Sequence, residues 1–496
     1  MRRKSRLPGL FAGLLMLSAL PLFADWQIDV TFPHWKGSAN PNLLVNSVTC
    51  FYGNSGQGTL FVTPSDSCRA FTLYVNNRKV NTFSCRSGVT TAVDIAKYTR
   101  DGSNSLQVSG IEPPGSATVQ VCLPYPMLQT GKENRAQTFK KAGISEKAFS
   151  LIESIISQDI AHGFPAAQLA VVKNGQLVYS KAWGSVQTYD AAGNLLPAGS
   201  AAAVTRDTLF DLASNTKMYS VNYALQYLVS KGAISLDDKI CDILGNRFAE
   251  DTIDLHYQVG GRSPIPPEEN KALKAKLTIR DLLQHEGGFP ASMHFYNDNY
   301  NASRLMAAPG KENLLYAGAG ADQETRERTF SALCKTPLLY RTGSETLYSD
   351  LDYITLCFVI EKASGMPLDD FLKMVFWEPL GLEHISYRPL ENGFTKADCA
   401  ATELAGNTRK GTISYTGVRS DVIQGQVHDE LAYYNMAGVS GHAGLFSNAE
   451  DLAKLAFIML SGGYGYERYF SPEVLDMFAA PKDLDATDWG LGWWRQ

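Results

Sequence analysis

The 496-residue chain has little charge of either sign, few cysteines and no internal repeat or low-complexity tract. Hydrophobic residues make up 45% and charged residues 19%, which is ordinary for a globular protein and excludes a disordered or fibrous one. A surplus of basic residues is also lacking, since 45 Lys and Arg face 50 Asp and Glu, for a formal net charge of -5. This acidic balance excludes a broad electrostatic surface for nucleic acid or anionic membranes.

Apolar runs long enough to span a membrane are missing after residue 24. The first 24 residues contain four basic residues and no acidic one, and Gly13 and Pro21 interrupt their apolar stretch. This pattern predicts a cleaved signal peptide over residues 1–24, with Ala24 as the small residue before the cut, rather than a membrane anchor. We therefore expect an exported protein, periplasmic or extracellular, with no stable membrane span after cleavage.

Metal-binding spacings of cysteine and histidine are absent, although the chain has eight of each. No cysteine pair has zinc-finger spacing and no His-x-x-x-His pair occurs, so we predict no structural metal. Four cysteines lie in the first quarter of the chain: Cys50, Cys68, Cys85 and Cys122. In an oxidising compartment they can form two disulfides in any of three pairings, or they can stay free thiols, and the sequence leaves both alternatives open.

Residues 26–126 carry short alternating or apolar runs separated by turn clusters, which predicts a β-sandwich domain. The predicted strands cover residues 43–48, 59–62, 71–75, 89–95, 105–108 and 118–123. About 40 of these residues resemble a galactose-binding-type jelly roll. The domain is interpreted as a packing or spacer domain, with glycan binding as the alternative. Pro124, Pro126 and a polar stretch predict a linker over residues 127–141.

From residue 142 onwards the pattern becomes mixed α/β, so the whole chain is expected to be a multidomain α+β protein. An amphipathic helix is predicted over 148–160, and two strands over 168–173 and 176–183 flank Asn174-Gly175, a strong hairpin signal. Helical periodicity dominates residues 217–380, and a further helix is predicted over 452–460.

Ser214-Asn-Thr-Lys217 is the central chemical motif. Apolar residues at helical spacing follow it, so Ser214 is predicted at the start of a helix with Lys217 one turn later on the same face. A serine hydroxyl is a weak nucleophile until a nearby base takes its proton, and a desolvated lysine can act as that base or tune it. The helix N-terminus also favours negative charge developing on oxygen atoms.

Tyr348-Ser-Asp350 opens a second predicted helix. A tyrosine at this place can serve as general base and acid, and Asp350 can orient Lys217 or contact a substrate amide. The structural alternative is that Tyr348 is a half-buried packing residue and Asp350 a helix N-cap.

Five segments in one order carry a family resemblance: Leu212-Ala-Ser-Asn-Thr-Lys217, Leu282-Leu-Gln-His-Glu-Gly-Gly288, Tyr348-Ser-Asp350, Gly425-Gln-Val-His-Asp-Glu430 and Gly441-His-Ala-Gly-Leu-Phe-Ser447. From about residue 145 to 496 the chain resembles the serine β-lactamase and penicillin-binding-protein superfamily, in its class C-like branch. The resemblance implies an antiparallel sheet flanked by helices plus an all-helical lobe over residues 142–496. It also implies an acyl-enzyme mechanism without metal or organic cofactor, with Ser214, Lys217 and Tyr348 as catalytic residues and Asp350 as a substrate-binding residue.

Two departures from the family pattern stand out. Asp350 replaces the usual Asn, and an ionised carboxylate accepts hydrogen bonds but cannot donate them. The third family motif, Lys or His followed by Thr or Ser and then Gly, is expected on a strand after Gly490-Leu-Gly-Trp493, so we expect the sequence to be incomplete at its C-terminal end. Residues 341–343 and 442–444 have similar composition. They are set aside because the first tripeptide lies in a turn before Tyr348 and the second leads into a helix.

The remaining polar candidates are interpreted as structural: His285 as a residue that fixes a loop, and His428-Asp-Glu430 and His442 as non-catalytic. The function predicted from the resemblance is an exported serine hydrolase, D-Ala-D-Ala carboxypeptidase-like, whose partner is a peptidoglycan stem peptide or a small amide or ester. Alternatives are an esterase or β-lactamase of the same fold or, in another class, a non-catalytic cell-wall-binding or scaffold protein.

Overall fold

A computed structural model of the chain describes residues 25–33, 48–130, 134–197, 199–298, 300–301, 306–307, 312–480 and 490–493. The predicted signal peptide and most of the strand predicted over 43–48 lie outside these residues. The chain divides into two compact units, Met1–Met127 with Leu460–Tyr469 and Leu128–Met459 with Phe470–Gln496. No helix in the described ranges has the length and apolar character needed to cross a membrane.

The strands of the described residues are, in chain order, β1 (Ile28–Phe32), β2 (Val48–Gly53), β3 (Thr59–Pro64), β4 (Ala70–Val75), β5 (Arg78–Lys79), β6 (Thr91–Asp94), β7 (Gly102–Glu112), β8 (Val119–Leu123), β9 (Gln129–Thr130), β10 (Ala166–Lys173), β11 (Gln176–Gly184), β12 (Phe210–Asp211), β13 (Tyr300–Asn301), β14 (Met306–Ala307), β15 (Ile385–Tyr387), β16 (Ala401–Glu403), β17 (Ile423–Gln424), β18 (Leu445–Ser447), β19 (Gly463–Tyr464) and β20 (Glu467–Arg468).

The α-helices are α1 (Arg135–Ala142), α2 (Glu146–Ala161), α3 (Tyr223–Ser230), α4 (Ile240–Leu244), α5 (Arg247–Glu250), α6 (Pro267–Lys274), α7 (Ile279–Leu283), α8 (Gln323–Lys335), α9 (Asp350–Ser364), α10 (Leu368–Leu372), α11 (Glu378–Leu380), α12 (Ala449–Ser461) and α13 (Pro472–Ala479). Shorter 3₁₀ turns cover Ala96–Tyr98, Ala213–Asn215, Pro389–Glu391, Lys396–Asp398 and Gly406–Thr408. Among the described residues, π-helical turns cover Lys217–Asn222, Lys373–Trp377 and Leu431–Asn435.

The first unit contains two four-stranded antiparallel sheets, in the orders β1-β8-β3-β6 and β2-β7-β4-β5. Every second residue of β3 and β8 is buried, as the period of two in a strand requires. Leu60 and Val121 from one sheet and Leu73 and Leu106 from the other belong to the same apolar cluster. Burial of this shared cluster stabilises both sheets.

All eight cysteines have free thiols in this structure, so the two-disulfide alternative is not realised. Cys50 is exposed on β2, whereas Cys68 is buried in the apolar cluster and Cys85 packs against that cluster. The Cys122 thiol on β8 lies 3.5 Å from an oxygen of Asp29. Burial and then the Asp29 charge raise its pKa to about 12, so the thiol stays protonated and unreactive at neutral pH.

In the second unit, β10 and β11 form the hairpin that the Asn174-Gly175 pair predicts, and this prediction is confirmed. Both turn residues have positive φ, 54° and 70°, which Asn and Gly tolerate and which matches the twist of a tight hairpin. β9 joins β11 in parallel. Helices α1 and α2 cover this sheet through a cluster of Phe139, Phe149 and Tyr179.

Glu153 links helix α2 to strand β11. Its carboxylate accepts a hydrogen bond from the Tyr179 hydroxyl at 2.5 Å and pairs with Arg135 and Lys181 at 3.0 and 3.1 Å. The Tyr179 hydrogen bond, followed by those from Lys181 and Arg135, lowers the pKa of Glu153 to about 2 against an ordinary 4.5. The ionised form is therefore stabilised by folding.

We expect Glu153→Gln to lower the melting temperature at pH 7. A group whose pKa is lowered by folding contributes stability above its unfolded pKa, and this contribution disappears as the pH falls through the folded value. The gap between variant and wild type should thus shrink from about pH 4.5 to about pH 2. Thermal unfolding across this range measures it, with Glu146→Gln as control, because Glu146 pairs with Arg135 at a more exposed position. A gap that stays constant with pH would contradict the assignment.

The rest of the second unit is built on helices around a short sheet of β12, β18 and β15. The register pairs Phe210 and Ile385 with Ser447 of the central strand β18. Helix α9 is buried on most sides, including Leu351, Tyr353 and Leu356, so it forms the centre of this helical region. It packs against the π-helical turn 217–222 and against α3. This packing brings the starts of two distant helical segments together.

Candidate active site

The segment that carries Ser214 begins directly after β12. The Asp211 carboxylate accepts the backbone N–H groups of Ala213 at 2.9 Å and of His428 at 2.8 Å. Ala213 has φ 46°, in the left-handed region that non-glycine residues seldom occupy, and such strain concentrates at functional turns. The sequence predicts one continuous helix here, whereas the structure has a 3₁₀ turn, a π-helical turn and then α3. Ser214 lies exposed on the first turn.

Lys217 is buried, with 1% of its surface exposed, and protein groups contact its ammonium in place of water. Its Nζ lies 3.1 Å from Ser214 Oγ, 2.8 Å from Asp350 Oδ1 and 3.2 Å from the His442 carbonyl oxygen. It also lies 4.6 Å from the centre of the Tyr348 ring. Buried charges require such partners. The structure thus brings together the four residues named from the sequence: Ser214, Lys217, Tyr348 and Asp350.

Tyr348 and Asp350 stand at the start of α9. Ser349 is the N-cap, because its hydroxyl accepts the backbone N–H groups of Leu351 and Asp352 at 3.2 and 3.4 Å. The alternative that Asp350 is the N-cap is therefore wrong: Asp350 is the first helical residue, and its carboxylate binds Lys217. Tyr348 is 44% exposed, so its phenol is open to solvent and to a ligand.

His285 and Asp352 form a fully buried pair behind Tyr348, with Nδ1 2.9 Å from Oδ2. Burial raises the pKa of Asp352 well above its ordinary value, and burial followed by the Lys217 charge lowers the pKa of His285 to about 3. His285 is thus neutral at pH 7, and burial favours the protonated form of Asp352. The His285 ring lies 4.7 Å from the Tyr348 ring, and its Nδ1 accepts the Ser349 N–H at 3.2 Å. These contacts agree with a residue that fixes a loop.

His442 and Asp429 form a second pair beside Lys217. His442 Nε2 lies 2.8 Å from Asp429 Oδ1, and Nδ1 lies 2.7 Å from Ser440 Oγ. Burial raises the pKa of Asp429, but His442, the Ala432 N–H and Lys217 together outweigh it, so the net pKa is lowered. Asp429 is therefore ionised. Sequence reasoning missed that His442 and Asp429 lie beside Lys217, because no motif links them to it.

The other two residues of the 428–430 run point elsewhere. His428 Nε2 lies 3.9 Å from Glu403, and Glu430 pairs with Arg409 at 2.8 Å. The three adjacent side chains thus do not converge, as expected for neighbours on a loop. Within the described ranges, no three His, Cys, Asp or Glu side chains are grouped so that they could hold a metal ion.

Residues 341–343 and residues 442–444 lie in different local structures. Thr342 and Gly343 bind the carbonyl oxygens of Gly287 and Glu286 in a turn. The expectation that 442–444 leads directly into a helix is wrong, because β18 lies between Gly444 and α12. This strand pairs with β12 and β15. Gly490–Trp493 lies against the Ser214 segment, since Asn222 Nδ2 donates to the Leu491 carbonyl oxygen at 2.7 Å.

Gly441 holds the turn before His442 because it has no side chain. A Cβ there would lie 2.2 Å from the Tyr353 carbonyl oxygen and 2.7 Å from Val221 Cγ2. We expect Gly441→Ala to destabilise the protein by about 3 kcal/mol, since a backbone oxygen cannot move cheaply. Gly232→Ala is the control, because its φ of 69° costs about 1 kcal/mol but nothing lies within 4 Å of the added carbon. Thermal unfolding compares them, and equal losses would contradict the packing argument.

The comparison with known proteins identifies the family. Residues 152–496 match the family described as Beta-lactamase. A protein from Escherichia coli O157:H7 described as "Putative D-alanyl-D-alanine carboxypeptidase" is 42% identical over 357 residues, which cover 71% of this chain and 73% of that protein. A Salmonella paratyphi B protein of the same description is 38% identical over 370 residues, which cover 74% of this chain and 76% of that protein.

Among solved structures, the octameric penicillin-binding protein homologue from Pyrococcus abyssi is 19% identical and has a TM-score of 0.44. The match covers 69% of this chain and 64% of that one. The family match over residues 152–496 and the 42% identity to the Escherichia coli relative carry the assignment. The chain therefore belongs to the β-lactamase and penicillin-binding-protein superfamily of serine hydrolases.

Proposed function

We propose that the protein is an exported serine hydrolase that forms an acyl-enzyme on Ser214 and acts, as a D-Ala-D-Ala carboxypeptidase does, on peptidoglycan stem peptides or on small amides and esters. The observation that carries the proposal is the 3.1 Å contact between Lys217 Nζ and the exposed Ser214 hydroxyl. The motif set resembles that of penicillin-binding protein 4B. The description of the Escherichia coli and Salmonella relatives supports the same substrate class.

In this proposal Ser214 Oγ attacks the carbonyl carbon of the substrate. One of the two residues Lys217 and Tyr348 must enter this step deprotonated; it takes the proton of Ser214 Oγ and then gives it to the leaving nitrogen or oxygen as the bond to the acyl carbon breaks. Water then attacks the acyl carbon and gives a proton to the same base, and Ser214 Oγ takes that proton back as its bond to the acyl carbon breaks and the acid leaves. The Tyr348 ring, 4.6 Å from Lys217 Nζ and open to solvent, supports a shared role in moving this proton.

Asp350 has two roles in the proposal. It holds the Lys217 ammonium at 2.8 Å, which fixes Nζ next to Ser214 Oγ. Its carboxylate also faces the substrate, where the family pattern has an amide that can both donate and accept. The His285–Asp352 pair supports Tyr348 from behind, at a ring distance of 4.7 Å, and so positions the phenol.

The domain arrangement is part of the same proposal. We assign residues 1–24 as a signal peptide, 26–126 as a jelly-roll-like β-sandwich domain, 127–141 as a linker and 142–496 as the hydrolase domain. The composition of residues 1–24 supports export to the periplasm or the extracellular space. The two sheets and their shared apolar cluster support the sandwich. Its proposed role is that of a packing or spacer domain, with glycan contact as the alternative.

The test is covalent labelling of the protein by a fluorescent penicillin and by a p-nitrophenyl ester, followed by peptide mapping with mass spectrometry. We expect the acyl group on Ser214. An acyl group on any other residue would contradict the assignment. Release of D-alanine from a stem pentapeptide, compared with ester and β-lactam hydrolysis, then separates the carboxypeptidase from an esterase or a β-lactamase of the same fold.

A non-catalytic wall-binding or scaffold protein is the alternative from another class, and the N-terminal sheets favour it because they lie outside the hydrolase match. Binding of the protein to purified peptidoglycan without any acylation of Ser214 would support this alternative. Turnover that disappears in the Ser214→Ala variant would dismiss it.

A further inference from the structure

Asp350 has an unusual position for a residue that contacts substrate. One oxygen, Oδ1, binds Lys217, and in the part of the chain that the structure describes no residue donates a hydrogen bond to Oδ2. The side chain is 22% exposed, so this second oxygen faces accessible space. An ionised carboxylate accepts hydrogen bonds at both oxygens and donates none. Whatever binds next to Asp350 must therefore supply a donor.

The distance to Ser214 limits which parts of a substrate can reach Asp350. Ser214 Oγ and Asp350 Oδ1 contact the same Lys217 ammonium, at 3.1 and 2.8 Å, so they lie no farther apart than about 6 Å. A carbonyl carbon poised for attack lies about 3–3.5 Å from Oγ. The atom bonded to the neighbouring carbon is about 2.5 Å from it by standard bond lengths. The substituent on the carbon next to the scissile carbonyl is thus within reach of Asp350.

A charged donor suits this position better than a neutral one. Hydrogen bonds between ionised partners are shorter and about twice as strong as those between neutral groups. Lys217 is not free to pair with a substrate carboxylate or carbonyl at this position. Its Nζ already contacts Ser214, Asp350 and the His442 carbonyl oxygen. A carbonyl oxygen placed against Asp350 Oδ2 would instead meet another acceptor, which is unfavourable.

We propose that Asp350 selects acyl donors that carry a free ammonium group on the carbon next to the scissile carbonyl, namely amides and esters of unacylated amino acids, dipeptides included. The ammonium donates to Asp350 Oδ2 while Ser214 attacks the carbonyl. The inference rests on the proposed function, since it assumes that Ser214 is acylated. Within the amides and esters of that proposal, it favours substrates with a free amino group over N-acylated stem peptides.

Three p-nitroanilides test the proposal: D-alanyl, N-acetyl-D-alanyl and D-lactyl, which differ only at the group that faces Asp350. We expect the wild type to use the D-alanyl substrate with a kcat/KM about 10-fold or more above that of the N-acetyl substrate, the size of one charge-assisted hydrogen bond. The D-lactyl substrate has a neutral hydroxyl, so its kcat/KM should be as low as that of the N-acetyl substrate.

The variant Asp350→Asn should reduce the ratio of D-alanyl to N-acetyl kcat/KM by about 10-fold or more. This ratio is informative even if overall activity falls, because both substrates use the same Ser214 and Lys217 in the same variant. Asp237→Asn is the matched control. It removes the same charge from an exposed pair with Arg280, and the ratio should keep its wild-type value.

The results distinguish a failure of this inference from a failure of the proposed function. A wild type that acylates Ser214 but prefers the N-acetyl substrate, with the same ratio in Asp350→Asn, would overturn the inference and leave the proposed function standing. Absence of acylation at Ser214 by every substrate and by fluorescent penicillin would overturn both.

Discussion

Replacing Ser214 by alanine is expected to lower the turnover of an activated ester by about 10³-fold or more, because no covalent intermediate can form without its hydroxyl. The substitution removes an exposed oxygen whose contact is Lys217 Nζ at 3.1 Å. The fold should be preserved, since exposed side chains contribute little to stability. Steady-state hydrolysis of p-nitrophenyl acetate and covalent labelling by fluorescent penicillin measure the loss.

Ser150→Ala serves as the matched control for this substitution. Ser150 is an exposed serine on α2 that donates to the Glu146 carbonyl oxygen at 3.0 Å. The Ser150→Ala variant should keep ester hydrolysis and penicillin labelling at the wild-type level. If Ser214→Ala still hydrolyses the ester at the wild-type rate, the reaction uses another nucleophile and the proposed mechanism fails.

Replacing Lys217 by methionine is the second large effect we expect, a fall of about 10²- to 10⁴-fold in kcat for the same ester. Methionine keeps most of the volume of the side chain but removes the ammonium that contacts Ser214 Oγ and Asp350 Oδ1. The hydroxyl remains, but the group that exchanges its proton with Tyr348 is gone. Single-turnover acylation measured by stopped flow reports this step directly.

Stability must be measured beside activity for Lys217→Met, because the change leaves Asp350 without its ion-pair partner. The double variant Lys217→Met with Asp350→Asn should recover stability but not the acylation rate, since it removes the uncompensated charge. Lys271→Met, which breaks the more exposed pair with Glu268 at 3.0 Å, is the control. Restoration of acylation in the double variant would show that Lys217 acts only by compensating the charge of Asp350.

The sequence pattern located several elements because their cause is local. Asn174-Gly175 predicts its hairpin, since these two residue types accept the positive φ of the turn. Alternating apolar residues predict β3, β4 and β8, and the structure places strands there. Strand β1 was missed, because it is a short run whose partner, β8, lies about 90 residues away.

The periodicity of the sequence does not predict the irregular helical turns around Ser214. The apolar spacing of residues 218–229 predicts a regular helix, but the structure has a 3₁₀ turn and a π-helical turn before α3. Contacts from other segments impose them. Leu445 donates its N–H to Thr216 Oγ1 at 3.1 Å, and Asn222 Nδ2 donates to the Leu491 carbonyl oxygen. Because these partners are far away in the sequence, the spacing of residues 213–222 does not reveal them.

The family and the contact between Ser214 and Lys217 follow from local sequence motifs, because residues three apart on a helical segment share one face. What surrounds that contact depends on residues from distant parts of the chain. Asp350 lies 133 residues from Lys217, and His442 lies 225 residues from it. Packing of α9 against the Ser214 segment brings Asp350 to Lys217. Burial raises the pKa of Asp352, whereas the contacts with His442 and the Ala432 N–H keep Asp429 ionised.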